Sequence, residues 1–232
     1  MSERRDGPNA RLPRLPAEWY RGRAWVHWSM TVDRRATGWL DSLRHARIRE
    51  VLVDALGRYG IVCPAYCVMP DHAHFLWAGV AERSNQPLGA RLLRTAWNAE
   101  LKHHGFRLQR QGYDHVLREE ERKRGAVMAV AAYIWENPVR AGLVAEWRQY
   151  PFLGAVVPGY PDLDPRCEDF WDVFWRIYAA LGDDGAGGSG ENLTVSATEE
   201  ATEEATDGAT KDSAEGEGPR ISSERGEDQI AP

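Results

Sequence analysis

The stretch IVCPAYCVMPDHAHFLW, residues 61–77, contains two short apolar runs with Pro70 and Asp71 between them. Both runs have the composition of β-strands, and a Pro-Asp pair is a common turn signal, so the stretch predicts a β-hairpin. Pro64 lies inside the first run. Because proline lacks the N–H that a central strand needs, its position predicts a sheet edge or a bulge.

An amphipathic helix is predicted on each side of this hairpin. Apolar residues recur at helical spacing over residues 40–59, and glycines at positions 57 and 60 end the pattern. Residues 87–104 show a second such pattern, with Gly105 as the stop. Farther out, residues 24–32 have strand composition, and residues 106–117 are expected to form a loop that enters a fourth strand.

The resulting order, β-α-β-β-α-β, predicts an α+β fold, a ferredoxin-like sandwich with an antiparallel sheet. Two added helices are expected, one over residues 126–136, which Pro138 ends, and a C-terminal one over residues 170–181. The folded domain is therefore placed at residues 17–182. A three-layer α/β arrangement is the alternative that the pattern leaves open.

Charge is distributed unevenly along the chain. Residues 183–232 contain 14 acidic and 3 basic residues, whereas residues 1–182 contain 21 acidic and 26 basic ones. The acidic segment has few large apolar residues to offset the entropy of ordering, so we predict a disordered acidic tail there. Residues 1–16 are predicted to form a flexible arm. The chain before the tail is mildly basic, which is compatible with a nucleic-acid partner.

Other features exclude several classes of protein. The three cysteines include no CxxC pair, which argues against a disulfide framework and against a cysteine zinc site. The N-terminal residues lack the apolar core of a signal peptide, and no stretch approaches the roughly 18 apolar residues of a membrane span. We therefore expect a cytoplasmic protein without a membrane partner.

Two histidines follow the turn of the hairpin. Because successive side chains of a strand alternate between faces, His72 and His74 are predicted to lie side by side, about 7 Å apart along the strand. They could share one divalent metal ion. The alternative is one structural and one surface histidine, and the HxH pattern alone does not decide between the two.

Tyr133 and Asn137 are four residues apart, so they are predicted to share a helical face about one turn from each other. A phenol and an amide carbonyl would then point the same way. The alternative treats Tyr133 as a core aromatic residue and Asn137 as the residue that ends the helix before Pro138.

Three ordered segments resemble the signature blocks of the single-tyrosine HUH transposases, and look closest to the REP-associated tyrosine transposase branch. They are YCVMPDHAHFLW at residues 66–77, GYDHVLREEE at residues 112–121 and YIWENPVRAGLV at residues 133–144. The resemblance implies that Tyr133 is the nucleophile. It also implies that His72, His74 and Asn137 bind a divalent metal, Mg²⁺ or Mn²⁺.

The implied activity is that of a DNA transposase and single-strand endonuclease, which cleaves and rejoins DNA through a 5′-phosphotyrosine. The expected partner is single-stranded or hairpin DNA, the expected location is cytoplasmic and nucleoid-associated, and the protein is expected to be a monomer or a homodimer. Five basic residues are candidates for DNA binding through phosphate contacts: Arg91, Arg94, Lys102, Arg118 and Arg140.

The chain departs from the family pattern at two places. Asp71 stands where the family usually has Asn, and Arg21-Gly22-Arg23-Ala24 stands where it often has a Gly-Gly pair. Two other functions remain open. One is a catalytically inactive, host-adopted protein that binds single-stranded or hairpin DNA, and the other is a metal-dependent hydrolase that uses water as the nucleophile.

Overall fold

A five-stranded antiparallel sheet forms the centre of the computed structural model, which describes residues 15–183. The strands are β1 (Trp25–Thr31), β2 (Ile61–Val68), β3 (His72–Gly79), β4 (Tyr113–Val116) and β5 (Leu153–Val156). The helices are α1 (Ser42–Tyr59), α2 (Gln86–Lys102), α3 (Arg124–Trp135), the single turn α4 (Asn137–Arg140) and α5 (Phe170–Asp183).

The strand order is β4-β1-β3-β2-β5, and each pairing is antiparallel. The first four strands are therefore arranged as a ferredoxin-like fold requires, and the predicted α+β class is confirmed. Helices cover both faces of the sheet, as in a three-layer protein, but the antiparallel pairings exclude a doubly wound α/β fold.

Helices α1 and α2 cover one face of the sheet. Asp41 caps the start of α1 by accepting a hydrogen bond from the Arg44 backbone N–H at 2.9 Å, and Gly60 ends the helix with a left-handed φ of 63°. The apolar residues at helical spacing are buried between the two helices and the sheet, and include Leu52, Leu56, Leu93 and Trp97. This layer is the larger part of the core.

Helices α3 and α5 cover the opposite face. Their buried side chains pack on residues of β1, β2 and β3, and include Val127, Ala131, Ile134, Phe170 and Phe174. Because side chains alternate along a strand, His27, His72 and His74 face this same layer. The packing of α3 against the sheet therefore decides what stands over the histidines.

Strand β5 was missed by the sequence analysis. It has only four residues and contains Gly154, so its composition does not mark a strand. Gly154 packs under Tyr66, since a Cβ added at this glycine would lie 3.0 Å from the Tyr66 hydroxyl. The predicted irregularity at Pro64 is confirmed by a register shift between Val62 and Ala65.

Helix α5 ends at Asp183, the first residue of the predicted acidic tail. Most of the predicted flexible arm, and the predicted tail from residue 184 on, lie outside the described residues. Within residues 15–183, no helix combines the length and apolar character needed to cross a membrane.

Candidate active site

His72 and His74 lie on one face of β3, as their spacing predicts. Their ring centroids are 4.8 Å apart and their planes are nearly perpendicular, at 88°. Both side chains are partly buried. The backbone positions of both histidines are fixed by pairing with β1, in which Thr31 lies opposite His72 and Ser29 lies opposite His74.

The His72 ring is oriented by a carboxylate. Its Nδ1 lies 2.6 Å from Asp71 Oδ1, and Arg35 Nη1 donates to Asp71 Oδ2 at 2.8 Å. Burial acts to raise the pKa of Asp71, but the hydrogen bonds from His72 and Arg35 outweigh it and leave the pKa below its ordinary value. An ionised carboxylate only accepts, so Nδ1 donates to it and Nε2 is the nitrogen of His72 that is left to bind a metal.

The His74 ring contacts a third histidine, His27 of β1, which the sequence analysis did not assign to the site. His27 Nε2 and His74 Nδ1 are 3.1 Å apart, a hydrogen bond whose direction depends on the tautomers. Burial, and then the neighbouring His115, lower the pKa of His27 to about 4. Burial, and then His27 and His72, lower the pKa of His74 to about 3. Both rings are therefore neutral at pH 7.

A fourth imidazole continues this row on β4. His115 is the register partner of His27, and its Nε2 lies 3.0 Å from Glu121 Oε1. His115 and Glu121 both belong to the second of the three signature-like segments. Residues 24–32 were predicted to form a strand, but only the pairing of β1 with β3 shows which histidine His27 meets.

Tyr133 of α3 stands over the histidines of its own chain. Its ring centroid lies 6.3 Å from that of His74 and 6.2 Å from that of His27. The side chain is 51% exposed. The core aromatic alternative for Tyr133 is therefore wrong, because this ring faces solvent beside the imidazoles.

Arg140 holds Tyr133 from the other side. Its guanidinium carbon lies 4.2 Å from the centre of the phenol ring, which is cation–π geometry. The same guanidinium donates a hydrogen bond to the Tyr133 backbone carbonyl. Arg140 thus contacts the candidate nucleophile directly, and its side chain is exposed.

Asn137 lies one turn beyond Tyr133, but the two do not share one continuous helix. Helix α3 ends at Trp135, and Asn137 opens the next turn. Because Pro138 has no N–H, it leaves the Ile134 carbonyl without its helical donor, and Asn137 Nδ2 donates to that carbonyl at 3.1 Å. Nδ2 also lies 3.1 Å from the Tyr133 carbonyl. These bonds make Oδ1 the atom of Asn137 that could bind a metal.

The donor set determines what kind of metal site is possible. Among residues 15–183, no three His, Cys, Asp or Glu side chains are grouped so that they could hold a metal ion. A cation at His72 and His74 would therefore need oxygen ligands from Asn137, from water or from a bound phosphate. Two imidazoles with otherwise open coordination positions suit a cation that binds phosphate; a closed structural metal site would need more protein ligands.

The other predicted DNA-binding residues do not converge on the histidines. Arg91 and Arg94 line a cavity of about 670 Å³ with Arg110, behind the sheet on the α2 side. Arg94 Nη2 donates to the Gln109 carbonyl at 2.5 Å and so secures the loop before β4. Lys102 lines a neighbouring cavity of about 790 Å³ with Arg34 and Arg107.

Arg118 follows β4 on the surface. Its backbone N–H donates to Glu121 Oε2 at 2.7 Å, the same carboxylate that pairs with His115. The predicted basic residues are thus spread over both faces of the sheet, and Arg140 is the one that touches the candidate nucleophile.

Comparison with known proteins supports the fold. No family model and no curated protein matches the chain. The structure of a REP-associated tyrosine transposase bound to a REP hairpin matches with a TM-score of 0.52 at 17% identity, over 62% of this chain and 81% of that one.

A presumed transposase from Deinococcus radiodurans R1 also matches, at 16% identity over 53% of this chain and 97% of that one. Its TM-score of 0.36 adds nothing to the assignment. The five-stranded antiparallel sheet and its helical layers therefore give this chain the fold of the REP-associated tyrosine transposase.

Proposed function

We propose that this chain is a DNA transposase and single-strand endonuclease, in which Tyr133 cleaves and rejoins DNA through a 5′-phosphotyrosine. The observation that carries the proposal is the position of the Tyr133 ring, about 6 Å from the rings of His74 and His27 of the same chain. The fold shared with a transposase solved with a DNA hairpin supports the choice of DNA as substrate.

The reaction would be an in-line displacement at phosphorus. Tyr133 Oη forms a bond to the phosphorus atom while the bond from phosphorus to the 3′ oxygen breaks. The phenol loses its proton and the departing 3′ oxygen takes one up, so a free 3′-hydroxyl remains. The reverse step, with a 3′-hydroxyl from another strand, joins DNA without an external energy source, because the phosphotyrosine retains the ester bond.

The residues around Tyr133 suit this chemistry. Free tyrosine has a pKa of about 10, so attack by a phenol at neutral pH needs positive charge nearby. Mg²⁺ or Mn²⁺, held by His72, His74 and Asn137 Oδ1, would neutralise charge on the phosphate oxygens. Arg140 would hold the phenol ring and face the same phosphate. Imidazole ligands favour Mn²⁺, and an open oxygen shell is compatible with Mg²⁺.

Substrate binding is assigned to the basic residues on the surface. Arg140 contacts Tyr133, Arg118 would bind DNA on the surface after β4, and Arg91, Arg94 and Lys102 would hold DNA that passes behind the sheet. Tyr133 stands over histidines of its own chain, so a monomer contains every proposed group, and a homodimer is equally compatible.

A covalent adduct tests the proposal. The full chain is incubated with Mn²⁺ and a labelled pool of hairpin oligonucleotides that have randomised single-stranded flanks. We expect a denaturant-resistant protein–DNA adduct that disappears in Tyr133→Phe and persists in Tyr160→Phe, a matched change at another exposed tyrosine.

The two other functions predict different results. An inactive hairpin-binding protein would give a reversible gel shift without an adduct. A hydrolase that uses water would cut the DNA without an adduct, and Tyr133→Phe would leave that cutting intact. Either result would overturn the transposase proposal.

A further inference from the structure

His27 contacts a proposed metal ligand, His74, but lies outside the three segments that carry the family resemblance. Its Nε2 lies 3.1 Å from His74 Nδ1, and the two residues are 47 positions apart on different strands. Building on the proposed function, we propose that His27 is a positioning residue. It accepts a hydrogen bond from His74 Nδ1 and thereby presents the Nε2 lone pair of His74 to the divalent cation.

The argument follows from the proton count of a neutral imidazole, which has one N–H and one lone pair. One proton must lie between His27 Nε2 and His74 Nδ1. If His27 donated it, His74 would accept at Nδ1 and carry its own proton on Nε2, which could not then bind a metal. If His74 donates this proton from Nδ1, its Nε2 carries the lone pair and can bind a metal. The side chain at position 27 therefore decides whether His74 can be a ligand.

The two proposed ligands differ in how their tautomers are set. His72 faces an acceptor-only carboxylate, Asp71, so its Nδ1 must donate. His74 faces another imidazole, which can donate or accept. His27 is thus needed in the tautomer with the proton on Nδ1, and this requirement is specific to His74.

His27 does not act as a third metal ligand in this arrangement. Its Nε2 is directed at His74 Nδ1, and no group of three suitable side chains exists within residues 15–183. A partner that orients a metal-binding histidine typically changes metal affinity by about 10- to 100-fold when it is removed. That range sets the expected size of the effect.

Two amide substitutions separate hydrogen bonding from packing. In His27→Gln the amide oxygen falls near the position of imidazole Nε2 and can accept from His74 Nδ1. In His27→Asn the same amide falls near the position of Nδ1 and is too short to reach His74. The Gln and Asn variants carry the same amide group and differ only in side-chain length. His27→Phe is a further control, because its ring is similar in size to imidazole but cannot form a hydrogen bond.

The experiment is a Mn²⁺ titration of the full chain and of these variants, followed by electron paramagnetic resonance at about pH 7.5. We expect His27→Gln to bind Mn²⁺ within about threefold of the unmodified chain, and His27→Asn and His27→Phe to bind at least about tenfold more weakly. Equal affinities for the Gln and Asn variants would overturn the role of His27 while leaving the metal site in place. A chain that binds no Mn²⁺ at all would remove both the metal site and this inference.

A second measurement needs no variant, in case a substitution at position 27 prevents folding. Long-range ¹H–¹⁵N spectra of the unmodified chain report which ring nitrogen of each histidine is protonated. We expect the proton of His74 on Nδ1 and that of His27 on Nδ1. A proton on Nε2 of His74 would contradict the inference, whatever the outcome of the adduct experiment.

Discussion

Arg140 offers a quantitative test of how the nucleophile is held. Its guanidinium carbon lies 4.2 Å from the centre of the Tyr133 ring, and the ring is 51% exposed. A cation–π contact at such an exposed site contributes about 0.5 to 1 kcal/mol. The added hydrogen bond to the Tyr133 carbonyl raises the total above that range. Arg140→Ala should therefore destabilise the attacking orientation of Tyr133 by about 1 to 2.5 kcal/mol.

That free energy corresponds to a roughly five- to seventyfold slower formation of the covalent adduct. The assay is single-turnover adduct formation at saturating DNA, so that weaker DNA binding does not lower the rate. Arg148→Ala is the matched control, because Arg148 stacks on Trp147 at 4.5 Å in the same manner away from the histidines. We expect this control to react at the unmodified rate.

One result would refute the claim that Arg140 positions Tyr133. If Arg140 acts only on the DNA backbone, Arg140→Ala would leave the rate at saturating DNA unchanged. It would weaken binding and lower the salt dependence of the affinity by about 0.7 per lost phosphate contact on single strands. That outcome would reject the positioning of Tyr133 by Arg140 and keep Arg140 as a DNA contact.

Three further predictions concern the other groups. Asp71→Ala should weaken Mn²⁺ binding about tenfold, whereas Asp71→Asn, which keeps an acceptor oxygen for His72, should weaken it less; equal losses by calorimetry would contradict the orienting role. Burial is the main cause that lowers the pKa of His45 to about 4 in the folded chain. As pH falls, His45 is therefore protonated in the unfolded chain before it is protonated in the folded one. The stability from neutral His45 is present above its ordinary pKa of 6.5 and is lost as pH falls from 6.5 to about 4. Urea unfolding of His45→Gln should depend less on pH in that window, and an unchanged slope would contradict the cause. Deletion of residues 184–232 should tighten DNA binding at low salt if the acidic tail competes with DNA, and an unchanged affinity would reject competition.

Local sequence patterns predicted most of the fold. The hairpin around Pro70 and Asp71, the two helices beside it and the helix at residues 170–181 all appear in the structure within a few residues of the prediction. Their periodicities of 2 and 3.6 residues are properties of single segments, so they can be read without knowing the tertiary structure. Strand β5 was not predicted, because four residues that include a glycine are too few to show an alternating pattern of apolar and polar side chains.

The geometry of the candidate site could also be predicted only in part from local sequence. The sequence placed His72 and His74 on one face of a strand, and that geometry follows from the strand alone. The sequence also placed Asn137 one turn after Tyr133, and Asn137 Nδ2 lies 3.1 Å from the Tyr133 carbonyl. Pro138 leaves the Ile134 carbonyl without a helical donor, and Asn137 Nδ2 donates to that carbonyl instead. That the two side chains share a helical face stays a prediction.

The sequence by itself determined the order of the elements, the shared face of His72 and His74, and the resemblance that named Tyr133. Only the tertiary structure decided that His27 meets His74, that Tyr133 stands over both rings, and that Arg140 stacks on Tyr133. The physical reason is that side-chain direction within a strand or helix is fixed by local backbone geometry. Contacts between elements depend on strand register and helix docking, which arise from packing among segments that lie far apart in the chain.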